Sequence, residues 1–320
     1  MEANLYTTIK DSLVEHFYPK GWDIQKLAQC CSHTPDEAKE RQHFWHQDFC
    51  VEPLDPSYSE VNDWRVKVGF ELAMQIKTAK DLNQKIALLL TGYPLGQYQW
   101  TVYFLKDWGV YCDHVYSFGM EDWSDAAGQP SCMFSDALNE HFYELLGEHT
   151  VPEQQRFSAT PEQLPLYEQK ISEIQQGGGK LVTVYGIGRD FNIGFWEPHW
   201  AEGMDSLQAY KEIPYKIAGM LHPLTVITYA MTTFRSDFTA VPALANTVGL
   251  GLILKSDYMI GGCDRLYKIG NDIFHSWQGI ALWATLRYGP DMWIPSSFIP
   301  TVPGKFFYPV ELADVGHEER

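Results

Sequence analysis

The chain has 320 residues and a net charge of −17, from 41 acidic against 24 basic residues. With no basic stripe anywhere, that balance argues against a nucleic-acid backbone or an anionic membrane surface as partner. A 45% hydrophobic and 14% aromatic content is that of a globular protein long enough to bury a large core.

No apolar run approaches the roughly 18 residues that would mark a membrane helix, and residues 1–10 carry no positively charged stretch leading into an apolar core. The expectation is a soluble cytoplasmic protein. The six cysteines, Cys30, Cys31, Cys50, Cys112, Cys132 and Cys263, are too few and scattered for a disulfide framework, and read as reduced, mostly buried thiols.

In chain order, residues 1–55 read as a helical N-terminal extension ending in a polar, proline-punctuated stretch at 51–57. Within it, residues 41–50 hold His43 and His46 among aromatics. Their spacing matches no standard ligand set, so a packed aromatic helix end is expected rather than a metal site. Helical spacing of apolar residues follows at 61–76, then an apolar strand at 85–91 closed by Gly92-Tyr-Pro94. A helix at 95–108 and a strand at 114–118 complete a strand–helix–strand unit, which implies a parallel sheet with right-handed crossovers.

Two acids, Glu121 and Asp122, follow that strand. A helix at 135–146, a polar connection at 150–165 and a helix at 166–174 lead to the β-branched strand 180–185. Directly after it comes Gly186-Ile-Gly188-Arg-Asp190-Phe-Asn192-Ile-Gly-Phe-Trp-Glu197-Pro198. A Gly-x-Gly turn there lets backbone approach a ligand, and Asp190 and Glu197 bring two carboxylates to the strand end, where open α/β sheets bind ligands. The turn is no dinucleotide fingerprint, because the third glycine position is Phe191. Further strands are expected at 224–228 and, last, near 258–260, with a helix over 271–288. The fold expected is α/β: a mostly parallel, Rossmann-like three-layer domain over 56–320, its central sheet flanked by helices, preceded by the extension 1–55.

These segments together resemble the glucosamine-6-phosphate deaminase/isomerase family, within a wider group that includes 6-phosphogluconolactonases. The run 186–198 is similar to that family's Gly-x-Gly-x-Asp-Gly-His-Ile-Ala-Phe-Asn-Glu-Pro. Thr91-Gly-Tyr-Pro94, Phe118-Gly-Met-Glu-Asp-Trp123, Tyr167-Glu-Gln-Lys-Ile171, residues 241–251 and Trp293-Ile-Pro-Ser-Ser-Phe298 support it in the same order, so the resemblance covers about residues 60 to 300. The Phe195-Trp-Glu197-Pro198 ending favours the deaminase/isomerase branch over the lactonases.

The resemblance implies a sugar or sugar phosphate ligand, no cofactor, no metal, and a homo-oligomer. It implies aldose–ketose isomerisation with or without deamination, in which one base moves the C2 proton and nearby donors hold the enediol oxygen. Glu121 or Asp122 would be that base, and Asp190 and Glu197 would support ring opening. Thr91, Gly92, Tyr93, Gly186 and Gly188 would cradle the ligand. Arg235 would bind phosphate with Arg265 or Lys268, a planar fork and a point charge; the plainer reading of Arg235 is a surface ion pair.

The departures are specific. The family's catalytic histidine falls at Asn192, an amide that exchanges no proton at neutral pH. Phe191 replaces the neighbouring glycine and narrows the loop. The phosphate loop is one residue shorter, and the Gln-x-His after the last strand appears as Pro300-Thr-Val302. Three functions fit these losses: an isomerase or deaminase in which another histidine such as His199 fills in, an enzyme for an unphosphorylated sugar or a lactone, and a protein that binds its ligand without catalysis. His199 reads more readily as a partly buried surface histidine, and Tyr93, Trp123, Phe195, Trp196 and Trp200 either stack on a sugar ring or fill the core.

Overall fold

The computed structural model describes residues 12–55, 63–264, 266–269, 272–276 and 278–314. After a helical turn at Leu13–Phe17, α1 (Ile24–Cys31) starts at Asp23, whose carboxylate accepts the Lys26 amide. Then come β1 (Phe49–Leu54), α2 (Trp64–Asp81), β2 (Ile86–Leu90), α3 (Gly96–Asp107), β3 (Val115–Gly119) and β4 (Glu121–Trp123). A π-helical turn, Asn139–Tyr143, joins α4 (Met133–Leu138) to α5 (Glu144–Leu146), and β5 (Arg156–Phe157), α6 (Leu164–Gln176) and β6 (Lys180–Gly186) follow. The second half holds α7 (Leu207–Glu212), β7 (Tyr215–Met220), α8 (Pro223–Thr232), β8 (Leu244–Val248), α9 (Leu250–Ile253) and β9 (Tyr258–Gly262). It closes with β10 (Leu266–Ile269), β11 (Asp272–Ser276), α10 (Gly279–Arg287), β12 (Gly304–Pro309) and α11 (Val310–Asp314).

Seven strands form one all-parallel sheet in the order β1-β12-β9-β6-β2-β3-β5. Central β2 is apolar throughout because both its faces are covered: Ala87 and Leu89 enter one core cluster, Ile86, Leu88 and Leu90 the other. The register pairs Leu90 with Val184 on β6 and with Gly119 on β3, so the loops leaving these three strands emerge at one edge. A three-stranded antiparallel sheet, β4-β8-β7, stands beside that edge, and β10 and β11 form a separate hairpin.

Several sequence expectations change. The run 224–228, rich in β-branched residues and so predicted as a strand, lies in α8: Pro223 starts it, His222 Nδ1 accepts the Leu224 amide, and Thr225, Thr228 and Thr232 recur at helical spacing. Residues 271–288 are not one helix, since β11 precedes α10, and β12 follows the strand expected to be last. The N-terminal segment is helical only in part, because its β1 pairs in parallel with β12 and joins the main sheet. Residues 41–48 form turns rather than a helix end, held where Arg41 donates to the carbonyls of His46, Gln47 and Phe49. All six cysteines are free thiols, three of them buried. Among the described residues no helix is long and apolar enough to cross a membrane.

Candidate active site

The loops converging at the sheet edge enclose a cavity of about 280 Å³. One wall is the loop after β2 with Glu121 at the start of β4, and the facing wall is the loop after β6. The threonine face of α8 forms a third side, and Arg65, from the first turn of α2, and Arg189 also line the space.

Glu121 is almost fully buried, yet it faces this cavity. Its Oε1 accepts the Gly92 amide at 2.8 Å and lies 2.8 Å from the Thr91 hydroxyl, whereas Oε2 has no protein partner. Burial outweighs those hydrogen bonds and pushes its pKa up to about 7. The carboxyl is therefore divided between acid and base near neutrality. Gly194 makes room for it: a Cβ there would lie 2.9 Å from Oε2, and the residue has a φ of +59°.

Asp122 points the other way, as strand alternation requires. It accepts from the Ser131 hydroxyl at 2.9 Å and the Ser135 amide at 3.3 Å, and takes no part in the cavity wall. Of the two acids left open by the sequence, Glu121 is the one the cavity reaches.

The loop after β6 behaves differently. Asp190 and Glu197 are both fully buried, and neither lines the cavity. The Asn192 side-chain amide donates to Thr225 Oγ1 at 3.1 Å and to Glu197 Oε1 at 3.4 Å, and the Thr225 hydroxyl donates to Asp190 Oδ2 at 3.1 Å. Asn192 and Thr225 are the members of this network that meet the cavity. Burial, with Asp190 beside it, holds Glu197 well above the usual carboxylate range. Gly188 is needed for space, since a Cβ there would come within 1.8 Å of Asn192 Oδ1.

Phe191 occupies the left-handed region at φ +72°, which costs a non-glycine residue on the order of 1 kcal/mol. Its ring does not enter the cavity but packs on Trp22 of the N-terminal segment, centroids 4.6 Å apart. The N-terminal segment thus braces this loop from behind.

Thr91, Tyr93, Gly186 and Gly188 line the cavity, and Gly92 contributes through its amide to Glu121. The Tyr93–Pro94 peptide is cis. Arg235 is exposed, at φ +54° just beyond α8, and does not line the cavity. Arg265 lies outside the described residues, as does the side chain of Lys268, whose backbone belongs to β10. His199 is set behind Glu197 rather than in the cavity. Of the aromatics singled out, Tyr93 lines the cavity, whereas Trp123, Phe195, Trp196 and Trp200 are buried in the core.

Sequence reasoning missed Arg65 and Arg189. The second stands inside the Gly-x-Gly-x-Asp run and was legible there as a cation. Arg65 has no local signal: close packing of α2 on α3, where a Cβ on Gly69 would lie 2.6 Å from the Gln97 carbonyl, carries it to the cavity.

The parallel sheet and its crossing loops give this chain an α/β fold similar to that of glucosamine-6-phosphate deaminases and 6-phosphogluconolactonases. It is 24% identical over 239 residues to mouse (Mus musculus) glucosamine-6-phosphate deaminase 1, covering 69% of this chain and 75% of that one. A monomeric glucosamine-6-phosphate deaminase of the NagB superfamily superposes with a TM-score of 0.61 at 16% identity, covering 83% of this chain and 99% of that one. The 6-phosphogluconolactonase from Plasmodium vivax gives a TM-score of 0.52 at 16% identity, covering 88% and 95%. No family model matches the chain.

Proposed function

We propose that the cavity binds an amino-sugar phosphate or a close analogue and moves a proton between adjacent sugar carbons, an aldose–ketose isomerisation with or without release of ammonia. The observation that carries this reading is Glu121, a buried carboxyl at the cavity wall with one oxygen anchored, the other unpartnered, and a pKa of about 7. A group of that strength takes a proton from C2 and returns it to C1 without a large penalty in either direction. The names of the relatives, glucosamine-6-phosphate deaminases among them, support the substrate class.

In this reading Thr225 and Asn192 hold the oxygens of the opened sugar, the first as hydroxyl and the second as amide. Arg65 and Arg189 receive the phosphate, two guanidinium forks in a strongly acidic chain. The test is direct: purified protein is incubated with glucosamine 6-phosphate and with hexose 6-phosphates, and ammonia and ketose are measured. Turnover of at least one supports the proposal, and none with any of them refutes it.

A further inference from the structure

The histidine absent from position 192 leaves the Asp190–Glu197 pair without a titrating neighbour on its cavity side, where an amide stands instead. On the other side there is one. His199, in the short helical turn Pro198–Ala201, holds Nδ1 4.0 Å from Glu197 Oε2, and neither atom has a hydrogen-bond partner. The Glu197 side chain is fully buried, while that of His199 is 28% exposed.

A structural ion pair or hydrogen bond would have closed to about 3 Å. Here two unsatisfied atoms stand 4.0 Å apart, just beyond that distance.

We infer that His199 is the group through which the buried Asp190–Glu197 pair exchanges protons with solvent, so that the pair can be reset after each passage of a proton from the cavity. The inference rests on the proton-moving reading of the cavity and assigns a route to it. A ligand hydroxyl gives its proton to Thr225 Oγ1 as Thr225 gives its own to Asp190 Oδ2. The carboxyl pair then holds one proton more; Glu197 passes one from Oε2 to the lone pair on His199 Nδ1, which releases it to water, and the proton left on Asp190 crosses the side-chain contact to Glu197, which restores the pair. No electron changes owner, and each step breaks one O–H or N–H bond as it forms another.

The groups facing His199 fit this use. Burial and His222, whose ring centroid is 5.5 Å away, keep the imidazole below its ordinary pKa, as Lys216 on β7 does more weakly, while Asp190 opposes them. A lowered pKa favours the uncharged ring, whose lone pair can take a proton and give it up readily to water. His222 is committed to capping α8 and Lys216 lies over the Trp200 ring at 4.5 Å, which leaves His199 as the exchanging group.

His199 touches no ligand in this scheme and acts through Glu197, so the test needs a readout that packing alone does not move. The full chain, with 15N-labelled histidine and 13C-carboxyl glutamate, is titrated by NMR as wild type, Glu197→Gln and His199→Gln, with His199→Asn where His199→Gln does not fold. The expected result is a shared titration of the His199 ring and the Glu197 carboxyl, with the His199 midpoint moving by about one pH unit or more in Glu197→Gln. An unchanged His199 midpoint in that variant overturns the inference.

With glucosamine 6-phosphate as probe, His199→Gln is expected to lose about tenfold or more in kcat at unchanged KM, with recovery on adding imidazole. Wild-type kcat in the variant across the pH range also overturns it. If the wild type turns over no sugar phosphate, the proposed function fails by itself, and the titration still decides the role of His199.

Discussion

The two walls of the cavity carry acids that follow the two strands flanking β2, and use them in opposite ways. On the β4 side Glu121 is tethered by one oxygen and aims the other into open space. On the β6 side Asp190 and Glu197 turn inward, bind each other's surroundings, and show the cavity only Asn192 and Thr225. A carboxyl next to a ligand-sized space thus becomes a proton carrier or a scaffold according to where its second oxygen points. Burial raises the pKa on both walls, but only Glu121 has the geometry to spend that on a bound molecule.

The sharpest way to break this contrast is Glu121→Gln, which keeps size and removes the proton. It should reduce kcat for a sugar phosphate by about 10²–10⁴-fold with KM little changed. Asp122→Asn, on the far face of the same strand, should stay within about threefold of wild type, even as it loses about 1 kcal/mol of stability with its serine contacts. Equal loss in both variants would erase the distinction.

Stability against pH separates the walls next. Because the folded Glu121 pKa, about 7, exceeds the ordinary 4.5, the folded state binds the proton more tightly than the unfolded chain between those values. Stability should therefore be greatest below pH 4.5 as far as this group is concerned, and fall by on the order of 3 kcal/mol as pH rises through 7. Glu197 is raised as well and contributes in the same direction. Chemical denaturation of Glu121→Gln from pH 4.5 to 8 should show a shallower decline than wild type, and an unchanged slope would count against a raised Glu121.

Smaller effects belong to the cations. Arg65→Ala and Arg189→Ala should each raise KM for a phosphorylated substrate by roughly 10–30-fold, the loss of one charge-assisted contact, while leaving it unchanged for the unphosphorylated sugar. Arg235→Ala, at an exposed turn outside the cavity, should change KM by less than about twofold. If the Arg235 change is instead the large one, a rearranged α8 end brings that residue to the ligand.

The strands that build the sheet edge were readable because buried parallel strands are written as unbroken apolar runs, 86–90 and 180–186 above all. The acids at 121, 190 and 197 were readable because they stand directly after such runs. What the pattern hid was direction. Adjacent strand residues point to opposite faces, so the choice between Glu121 and Asp122 needed the register of β4 against β8, in which Glu121 opposes Thr247. The α8 threonines were mistaken for a strand because Thr, Val and Ile dominate the short window 224–228, although their recurrence at 225, 228 and 232 already had helical spacing. Arg65 joins the cavity only by helix packing across a long sequence interval, which no local pattern records.

The central claim, that Glu121 is the group that moves the proton, is tested most directly by hydrogen exchange at C2 of glucosamine 6-phosphate in D₂O, followed by NMR for wild type, Glu121→Gln and Asp190→Asn. The account predicts exchange with wild type, none above background with Glu121→Gln, and slowed but measurable exchange with Asp190→Asn. Exchange at the wild-type rate in Glu121→Gln would contradict it.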